Sequence, residues 1–368
     1  RGGMEHSWAP AGARSAHPSQ PDALLEVNTA GDGMRSRGHQ RGVEQPGVGV
    51  DDPKRAAADD FQWMPALLRS FRWHRQNSHY AFRMMLVLLM LVARLLAELA
   101  IGILRGEVEL LSASIHGVFD LTLLGFCLLA LLVAKMPVPG AYAFGFVRAE
   151  VLSAFANSCY LLFLAFTQCT DAMSASLSDH GPSGLTAQTF ALGAVNVVTN
   201  LCGSAMFHSY RGVSVAYRSS SDMNYHAVWL HLAADSLCNA GVLASSLLIE
   251  AGVPVWAAAL GLNLAVATAL VRMAQPLFMA CSTTLLQRIP HSADPELLNR
   301  CAARLASVPG CKGSCHQHFW ELAPGQIQGQ VTLLVEPGAD EGAVKAAAAR
   351  IFDVALTGAS QHIVFEAR

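Results

Sequence analysis

Six long apolar segments constrain this chain more than any other feature. A helix needs roughly 20 apolar residues to cross about 30 Å of hydrocarbon, and each segment reaches that length. Only 14% of the 368 residues are charged and 52% are hydrophobic, whereas soluble domains carry about 25% charged residues. The chain is therefore predicted to be an α-helical membrane protein with six transmembrane helices. The segments are approximately 81–104, 108–133, 143–168, 186–208, 224–249 and 253–276.

Basic residues indicate how these spans are oriented. Cytosolic flanks of membrane helices collect Lys and Arg, and the connections of this chain alternate between basic and non-basic, with Arg105 as the main exception. Both termini are therefore predicted to be cytosolic. The basic residues behind this prediction are Arg69, Arg72, Arg75 and Arg83 before the first span, Lys135 and Arg148 around the second connection, Arg211 and Arg218 in the fourth, and Arg272 and Arg288 after the sixth span.

Composition divides the chain into four parts. Residues 1–60 are rich in Gly, Pro, Ser, Ala and charge and contain no apolar signal-peptide core, which predicts a disordered cytosolic N-terminal tail. Residues 61–80 form a basic juxtamembrane segment, and residues 81–276 hold the six apolar segments. Residues 277–368 have the composition of a small cytosolic domain.

The last of these parts mixes two periodicities. Helical and alternating patterns follow one another in the order αββαβ, which favours a ferredoxin-like α/β fold. Asp294 precedes Pro295 at the start of the first helical pattern, as an N-cap and a first helical residue do. The predicted helices are 294–308 and 340–356, and the predicted strands are 315–323, 329–337 and 361–367.

Two apolar spans each contain a histidine and an aspartate four residues apart. "HGVFD" begins at His116 and ends at Asp120, and "HLAAD" begins at His231 and ends at Asp235. Residues i and i+4 share one helix face, so two facing helices supply two nitrogens and two oxygens, a tetrahedral shell suited to Zn²⁺. One such pair alone is equally consistent with a His–Asp hydrogen bond that only holds two helices together. Two pairs at matching depth favour a metal site, because the cation offsets two buried carboxylates.

Other polar residues in the spans have structural interpretations. Arg94 and Glu98 are i and i+4 in the first span and are expected to pair with each other. Asn239 lies one turn beyond Asp235. It is either a hydrogen-bond partner of the ligand side chains or a polar residue that holds neighbouring helices together. Asn196 is interpreted as a helix-packing residue.

The C-terminal domain carries a second group of ligand-type residues. "CKGSCHQHFW" contains Cys311, Cys315, His316 and His318, and thiolate and imidazole are zinc ligands. Strand alternation places Cys315 and His316 on opposite faces, so all four join one site only if the loop bends back. The alternative is that these residues are simply exposed or in the core.

The two HxxxD pairs, "YAFGFVRAEVLSAFANS" at the third span and "HFWEL" in the tail together resemble the cation diffusion facilitator family of zinc transporters. The resemblance covers roughly residues 80–368. It includes a family pattern at the third-span entrance, and "FGFVRAEVL" and "HFW" are most similar to the branch of the early secretory pathway. The residues that match the entrance pattern are Tyr142, Gly145, Arg148, Glu150 and Asn157.

The resemblance implies a homodimer or heterodimer that exports Zn²⁺ from the cytosol into an organelle lumen, such as the Golgi, in exchange for protons. It also implies that His116, Asp120, His231 and Asp235 are the transport ligands. Antiport agrees with the ligand chemistry, since zinc binding requires neutral imidazoles and ionised carboxylates, so protons compete with the metal. Mn²⁺, Co²⁺ and Cd²⁺ fit similar shells.

Two other functions are consistent with parts of the sequence. One is a non-transporting or modulatory subunit of a heterodimeric zinc transporter, because Ala113 and the apolar start of the sixth span depart from the family pattern. The other, less favoured, is an intramembrane metalloenzyme, although no further acid or base lies at the depth of the four ligands. The expected partners are the lipid bilayer and a related transporter chain, with no nucleic acid.

Overall fold

The computed structural model describes residues 63–106, 108–136, 144–177, 187–211, 217–290, 294–356 and 360–367. The predicted N-terminal tail, residues 1–60, lies outside the described residues, as does Tyr142 of the entrance pattern.

Seven helices occupy the N-terminal part of the described chain. Five of them, α2, α3, α4, α6 and α7, are long and apolar enough to cross a membrane. The apolar stretch of α5 is shorter, Phe190–Met206. The helices are α1 (Trp63–Asn77), α2 (His79–Arg105), α3 (Val108–Val133), α4 (Arg148–Leu177), α5 (Ala187–Met206), α6 (Ser220–Glu250) and α7 (Val255–Leu285).

Local capping explains where several helices begin and end. The Ser78 side chain accepts a hydrogen bond from the Ala81 N–H at the start of α2, and Ser219 does the same for Asp222 at the start of α6. Helix α2 ends at Arg105 and is capped by Gly106, whose φ of 68° is the left-handed conformation that glycine adopts without strain.

The helices bury small and aliphatic side chains against one another and leave large apolar side chains on the outside. Val151, Ala154 and Leu161 of α4 pack with Leu270 and Ala274 of α7 in the largest buried cluster. Outward-facing apolar side chains suit a lipid environment, and the protein is a multi-pass membrane protein. Examples of exposed apolar residues are Leu89, Leu96, Phe119, Phe126, Phe163 and Phe166.

Helix α7 is longer than the predicted sixth span, which ends at residue 276. It continues through Pro276 to Leu285, although an internal proline removes one backbone hydrogen bond. Packing against α4 compensates for this loss, since Leu277 is fully buried and the Phe278 ring stacks on Phe155 with centroids 5.4 Å apart.

A small sheet domain follows the helices. Its order of helix, strand, strand, helix and strand is the order predicted from the sequence. Strand β2 is central, antiparallel to β1 and parallel to β3, and Phe319, Ile327 and Phe352 lie in the core between sheet and helices. The elements are α8 (Pro295–Leu305), β1 (Cys311–Ala323), β2 (Gln326–Val335), α9 (Glu341–Ala355) and β3 (Ser360–Ala367).

Candidate metal centre

The two HxxxD pairs face each other between α3 and α6. Ligand atoms of His116, Asp120 and Asp235 all lie within 4.8 Å of one another. His231 Nε2 lies 3.4 Å from Asp120 Oδ1 and 3.5 Å from Asp235 Oδ2. The structure therefore brings all four sequence-predicted ligands together, and we call these four residues the membrane site.

The four side chains differ in accessibility. The side chains of His231, Asp120 and Asp235 are at most 2% exposed, whereas that of His116 is 44% exposed. His116 thus lies at the rim of the membrane site and the other three lie in its interior.

Asn157 of α4 determines which nitrogen of His231 faces the carboxylates. The Asn157 amide nitrogen donates to the Ala227 carbonyl over 2.8 Å, which directs the amide oxygen at His231 Nδ1, also 2.8 Å away. His231 Nδ1–H therefore donates to Asn157, and in the neutral imidazole Nε2 carries the lone pair and faces Asp120 and Asp235. Asn157 belongs to the family pattern at the third-span entrance, but the sequence pattern gives no indication of this role.

Tyr160 of α4, which no sequence motif singled out, connects two of the predicted ligands. Its hydroxyl donates to Asp120 Oδ1 over 3.2 Å and lies 3.3 Å from His116 Nδ1. Because the Tyr160 hydroxyl donates its proton in the hydrogen bond to Asp120, its oxygen can accept a hydrogen bond from His116 Nδ1–H. The other ring nitrogen, His116 Nε2, then faces Asp120 Oδ2 at 3.7 Å. The only sequence signal was a tyrosine one turn from Asn157 on the same helix.

Three buried atoms of the membrane site have no hydrogen-bond partner among the described residues. They are His231 Nε2 and both carboxylate oxygens of Asp235. Buried polar atoms are nearly always satisfied, so an unpaired group requires an explanation. A cation bound by two imidazoles and two carboxylates supplies one, because it takes up these lone pairs.

The predicted ion pair between Arg94 and Glu98 is confirmed, with Arg94 Nε 3.6 Å from Glu98 Oε1. The guanidinium also reaches the membrane site, since Nη2 lies 3.8 Å from Asp120 Oδ2. Asn196 of α5 donates to Glu98 Oε1 over 2.8 Å, so it binds a buried charge as well as packing. Asn239 donates to the backbone oxygen of Asp235 on its own helix.

The Cys and His residues of β1 lie in two environments. Cys311 is buried in the core of the sheet domain, whereas Cys315, His316 and His318 are exposed. Pairing of β1 with β2 shifts between Ser314 and His316, and this bulge interrupts the strict alternation expected for Cys315 and His316. Within the described ranges, three or more potential ligands come together only at the membrane site. Metal binding by this strand stays a prediction.

A family comparison agrees with the geometry of the membrane site. The sequence profile described as the cation efflux transmembrane domain matches residues 84–286, more than half of the chain. The chain belongs to the cation efflux family. This confirms the resemblance to cation diffusion facilitators, and the matched range contains all four residues of the membrane site. Membership in the cation efflux family sets aside the metalloenzyme alternative.

Individual members of the cation efflux family show the same similarity. Metal tolerance protein C2 of Arabidopsis thaliana is 35% identical over 259 residues, which cover 70% of this chain and 65% of that protein. A probable zinc transporter protein of Dictyostelium discoideum is 27% identical over 66% of this chain and 39% of its own length. Zinc transporter 7 of Homo sapiens is 25% identical over 66% of this chain and 79% of its own length. The chain thus spans less than two thirds of the first two relatives.

Proposed function

We propose that this chain is a proton-coupled zinc antiporter that moves Zn²⁺ from the cytosol into an organelle lumen by alternating access. The observation that carries the proposal is the membrane site itself, with His231 Nε2 and the Asp235 oxygens buried and lacking hydrogen-bond partners among the described residues. Two relatives have zinc transport in their names. A Golgi or related secretory membrane is the proposed location, since "FGFVRAEVL" and "HFW" resemble the early secretory branch of the family.

The ligand set accounts for proton coupling. Zinc binding requires both imidazoles to be neutral and both carboxylates to be ionised, so every metal bound displaces any protons held there. Histidine titrates near neutral pH. A proton-rich lumen therefore favours release of zinc, and a neutral cytosol favours its uptake.

Six spans with cytosolic termini form the proposed topology. In this topology α5 is the fourth span. Its 17 apolar residues are few, but they still fall within the range of lengths that can cross a bilayer. Arg83 near the start of α2 donates to the Met206 carbonyl at the end of α5, which agrees with these two helix ends lying on the same side. We also propose a ferredoxin-like fold for the C-terminal domain, supported by its αββαβ order, and a dimeric assembly as in the family that the sequence resembles.

The test is zinc uptake into proteoliposomes that contain the purified chain, an internal zinc dye and an imposed pH gradient. We expect gradient-dependent uptake by the wild type and its loss in both Asp120→Asn and Asp235→Asn, which keep the side-chain shape and remove the charge. Asp171→Asn is the matched control, since Asp171 is an exposed aspartate on transmembrane helix α4.

Two results would contradict the proposal. Uptake at the wild-type rate in the Asp120→Asn and Asp235→Asn variants would exclude the membrane site as the transport site. A well-folded wild type that binds zinc without transporting it would instead favour the subunit of a heterodimeric transporter, and co-reconstitution with a related chain would then restore uptake.

A further inference from the structure

We infer that the guanidinium of Arg94 is a built-in counter-cation of the membrane site. An incoming divalent cation displaces this guanidinium from Asp120 toward Glu98. Arg94 therefore lowers the affinity of the site for the metal and promotes metal release. This inference rests on the proposed transport function. It concerns a residue on α2, outside the two helices that supply the ligands.

The guanidinium of Arg94 borders a ligand atom. Its Nη2 lies 3.8 Å from Asp120 Oδ2, the same oxygen that faces His116 Nε2 at 3.7 Å. A divalent cation bound to that oxygen places two positive charges beside a third, in a protein interior where charges interact more strongly than in water. Arg94 and the metal therefore compete for Asp120.

Within the described part of the chain, the guanidinium meets its two carboxylates at ion-pair distance and not through short hydrogen bonds. Its two carboxylate contacts measure 3.6 Å and 3.8 Å, and Nε has no hydrogen-bond partner among the described residues. An arginine that fastens two helices usually donates a pair of parallel hydrogen bonds of about 2.8 Å to one carboxylate. Arg94 is thus less tightly fixed than Glu98, which accepts a 2.8 Å hydrogen bond from Asn196.

Open space and a second carboxylate both adjoin Arg94. A groove of about 300 Å³ between α2 and α5 is lined by Arg94, Glu98, Asn196 and Thr199 together with apolar residues. Glu98 Oε2 is buried and has no hydrogen-bond partner within the described part of the chain. The guanidinium can therefore leave Asp120 and remain paired, which avoids an isolated charge in the membrane.

Helix α3 has no side chain where the guanidinium passes it. A Cβ atom at Gly117 would lie 3.4 Å from Arg94 Nη2 and 3.3 Å from Leu95 Cδ1. The 3.4 Å separation is ordinary van der Waals contact, so the guanidinium packs against α3 at the residue directly after His116.

The charges of this region match those of the cargo. Asp120, Asp235 and Glu98 contribute three negative charges and Arg94 one positive charge. With both histidines neutral, two negative charges are left, which equals the charge of one divalent cation in magnitude. Without Arg94 the region would keep a negative charge after binding Zn²⁺, and release would be slower.

The experiment measures zinc binding and zinc uptake by the full chain carrying Arg94→Gln, Arg94→Lys or Glu98→Gln. Binding is titrated with zinc ions against a competing chelator, and uptake is measured in proteoliposomes. The matched control is Arg83→Gln, because Arg83 is also on α2 but contacts the Met206 carbonyl and the Tyr80 ring.

Four results are expected. Arg94→Gln lowers the zinc Kd on the order of tenfold and lowers KM and the maximal uptake rate together, since tighter binding slows release. Arg94→Lys stays near the wild-type Kd because it keeps the charge. Glu98→Gln raises the Kd, since the guanidinium then has only Asp120 as a carboxylate partner, and Arg83→Gln leaves the Kd unchanged.

An Arg94→Gln protein that is as monodisperse as the wild type and binds zinc equally or more weakly overturns the inference and leaves Arg94 as a structural partner of Glu98. If Arg94→Gln does not fold, an unchanged or lower Kd in Glu98→Gln overturns it. Failure of the proposed function looks different, because the wild type itself would then show no gradient-dependent zinc uptake, or no zinc binding that depends on Asp235.

Discussion

At the scale of single residues, the membrane site depends on how its ligands are oriented as much as on their identity. His231 is fully buried and offers Nε2 to the carboxylates only because Nδ1–H is taken by Asn157. Outer partners of this kind fix the tautomer and ring position of a metal-binding histidine. The side chain of Tyr160 plays a similar part for Asp120 and His116.

Replacing Asn157 by alanine should weaken zinc binding without unfolding the helices. His231 then loses the acceptor for Nδ1–H and is free to present the protonated nitrogen to the carboxylates, so the zinc Kd should rise roughly 10- to 100-fold. Titration of purified protein against a chelator measures this change. The control is Ser158→Ala, because Ser158 is equally buried but, among the described residues, its hydroxyl donates to the Phe155 carbonyl on its own helix and not to the membrane site. Equal Kd values for the two variants would contradict the assigned role.

Replacing Tyr160 by phenylalanine removes one hydroxyl and keeps the ring. The ring stacks on His231 with centroids 5.6 Å apart, so the unfolding temperature should stay close to that of the wild type. Asp120 loses a donor and His116 loses its Nδ1 partner, and the zinc Kd should rise roughly tenfold. A thermal melt beside a zinc titration separates the two effects. A large drop in melting temperature with no change in Kd would make Tyr160 a packing residue.

At the scale of helices and strands, close approach between elements holds the ligands in place. Helix α6, which carries His231 and Asp235, approaches α7 at Gly241. A Cβ atom at Gly241 would lie 2.9 Å from Val266 Cγ2, closer than packed carbon atoms allow. Because valine has a stiff side chain, α6 and α7 would have to separate to accept a larger residue.

Gly241→Ala should therefore destabilise the helix bundle by about 1 to 3 kcal/mol. Gly261→Ala on α7 is the matched control, since a Cβ there meets no atom within 4 Å and alanine favours a helix more than glycine does. Thermal unfolding in detergent, followed by circular dichroism, gives the comparison. Equal melting temperatures for the two variants would show that α6 and α7 adjust without loss.

At the scale of the whole molecule, the sheet domain is joined to the membrane helices by a small number of specific contacts. Arg148 at the start of α4 donates to the Leu322 carbonyl at the end of β1. The turn between β1 and β2 places Gly325, at a φ of 78°, directly against the Arg218 carbonyl before α6. Helix α6 carries His231 and Asp235, so this contact links the sheet domain to a helix of the membrane site.

Gly325→Ala should weaken this contact. Gly338→Ala is the matched control, because Gly338 also has a positive φ, of 87°, but a Cβ there meets no atom within 4 Å. Both variants carry the backbone strain of about 1 to 2 kcal/mol, and only Gly325→Ala adds the clash with Arg218. We expect faster proteolytic cleavage between α7 and α8 in Gly325→Ala than in Gly338→Ala. Identical cleavage rates would show that the turn is not part of the junction.

Much of the architecture was predictable because it depends on local periodicity. Helical spacing alone puts His116 over Asp120 and His231 over Asp235, and five of the predicted apolar segments coincide with helices long enough to cross a membrane. The alternation and turn pattern of the tail likewise predicts its order of helices and strands. These features require only residues a few positions apart, and the geometry of a single helix or strand relates them.

Tertiary structure alone decided the remaining features. Tyr160 and Asn157 act on α3 and α6 from α4, Arg94 reaches Asp120 from α2, and the bulge at Cys315 exposes that residue together with His316. Each of these contacts joins residues that are distant in sequence or depends on pairing with another strand. The sequence determined which side chains share a helix face, whereas the packing of helices determined which faces meet, because that packing depends on the shapes of all the side chains between them.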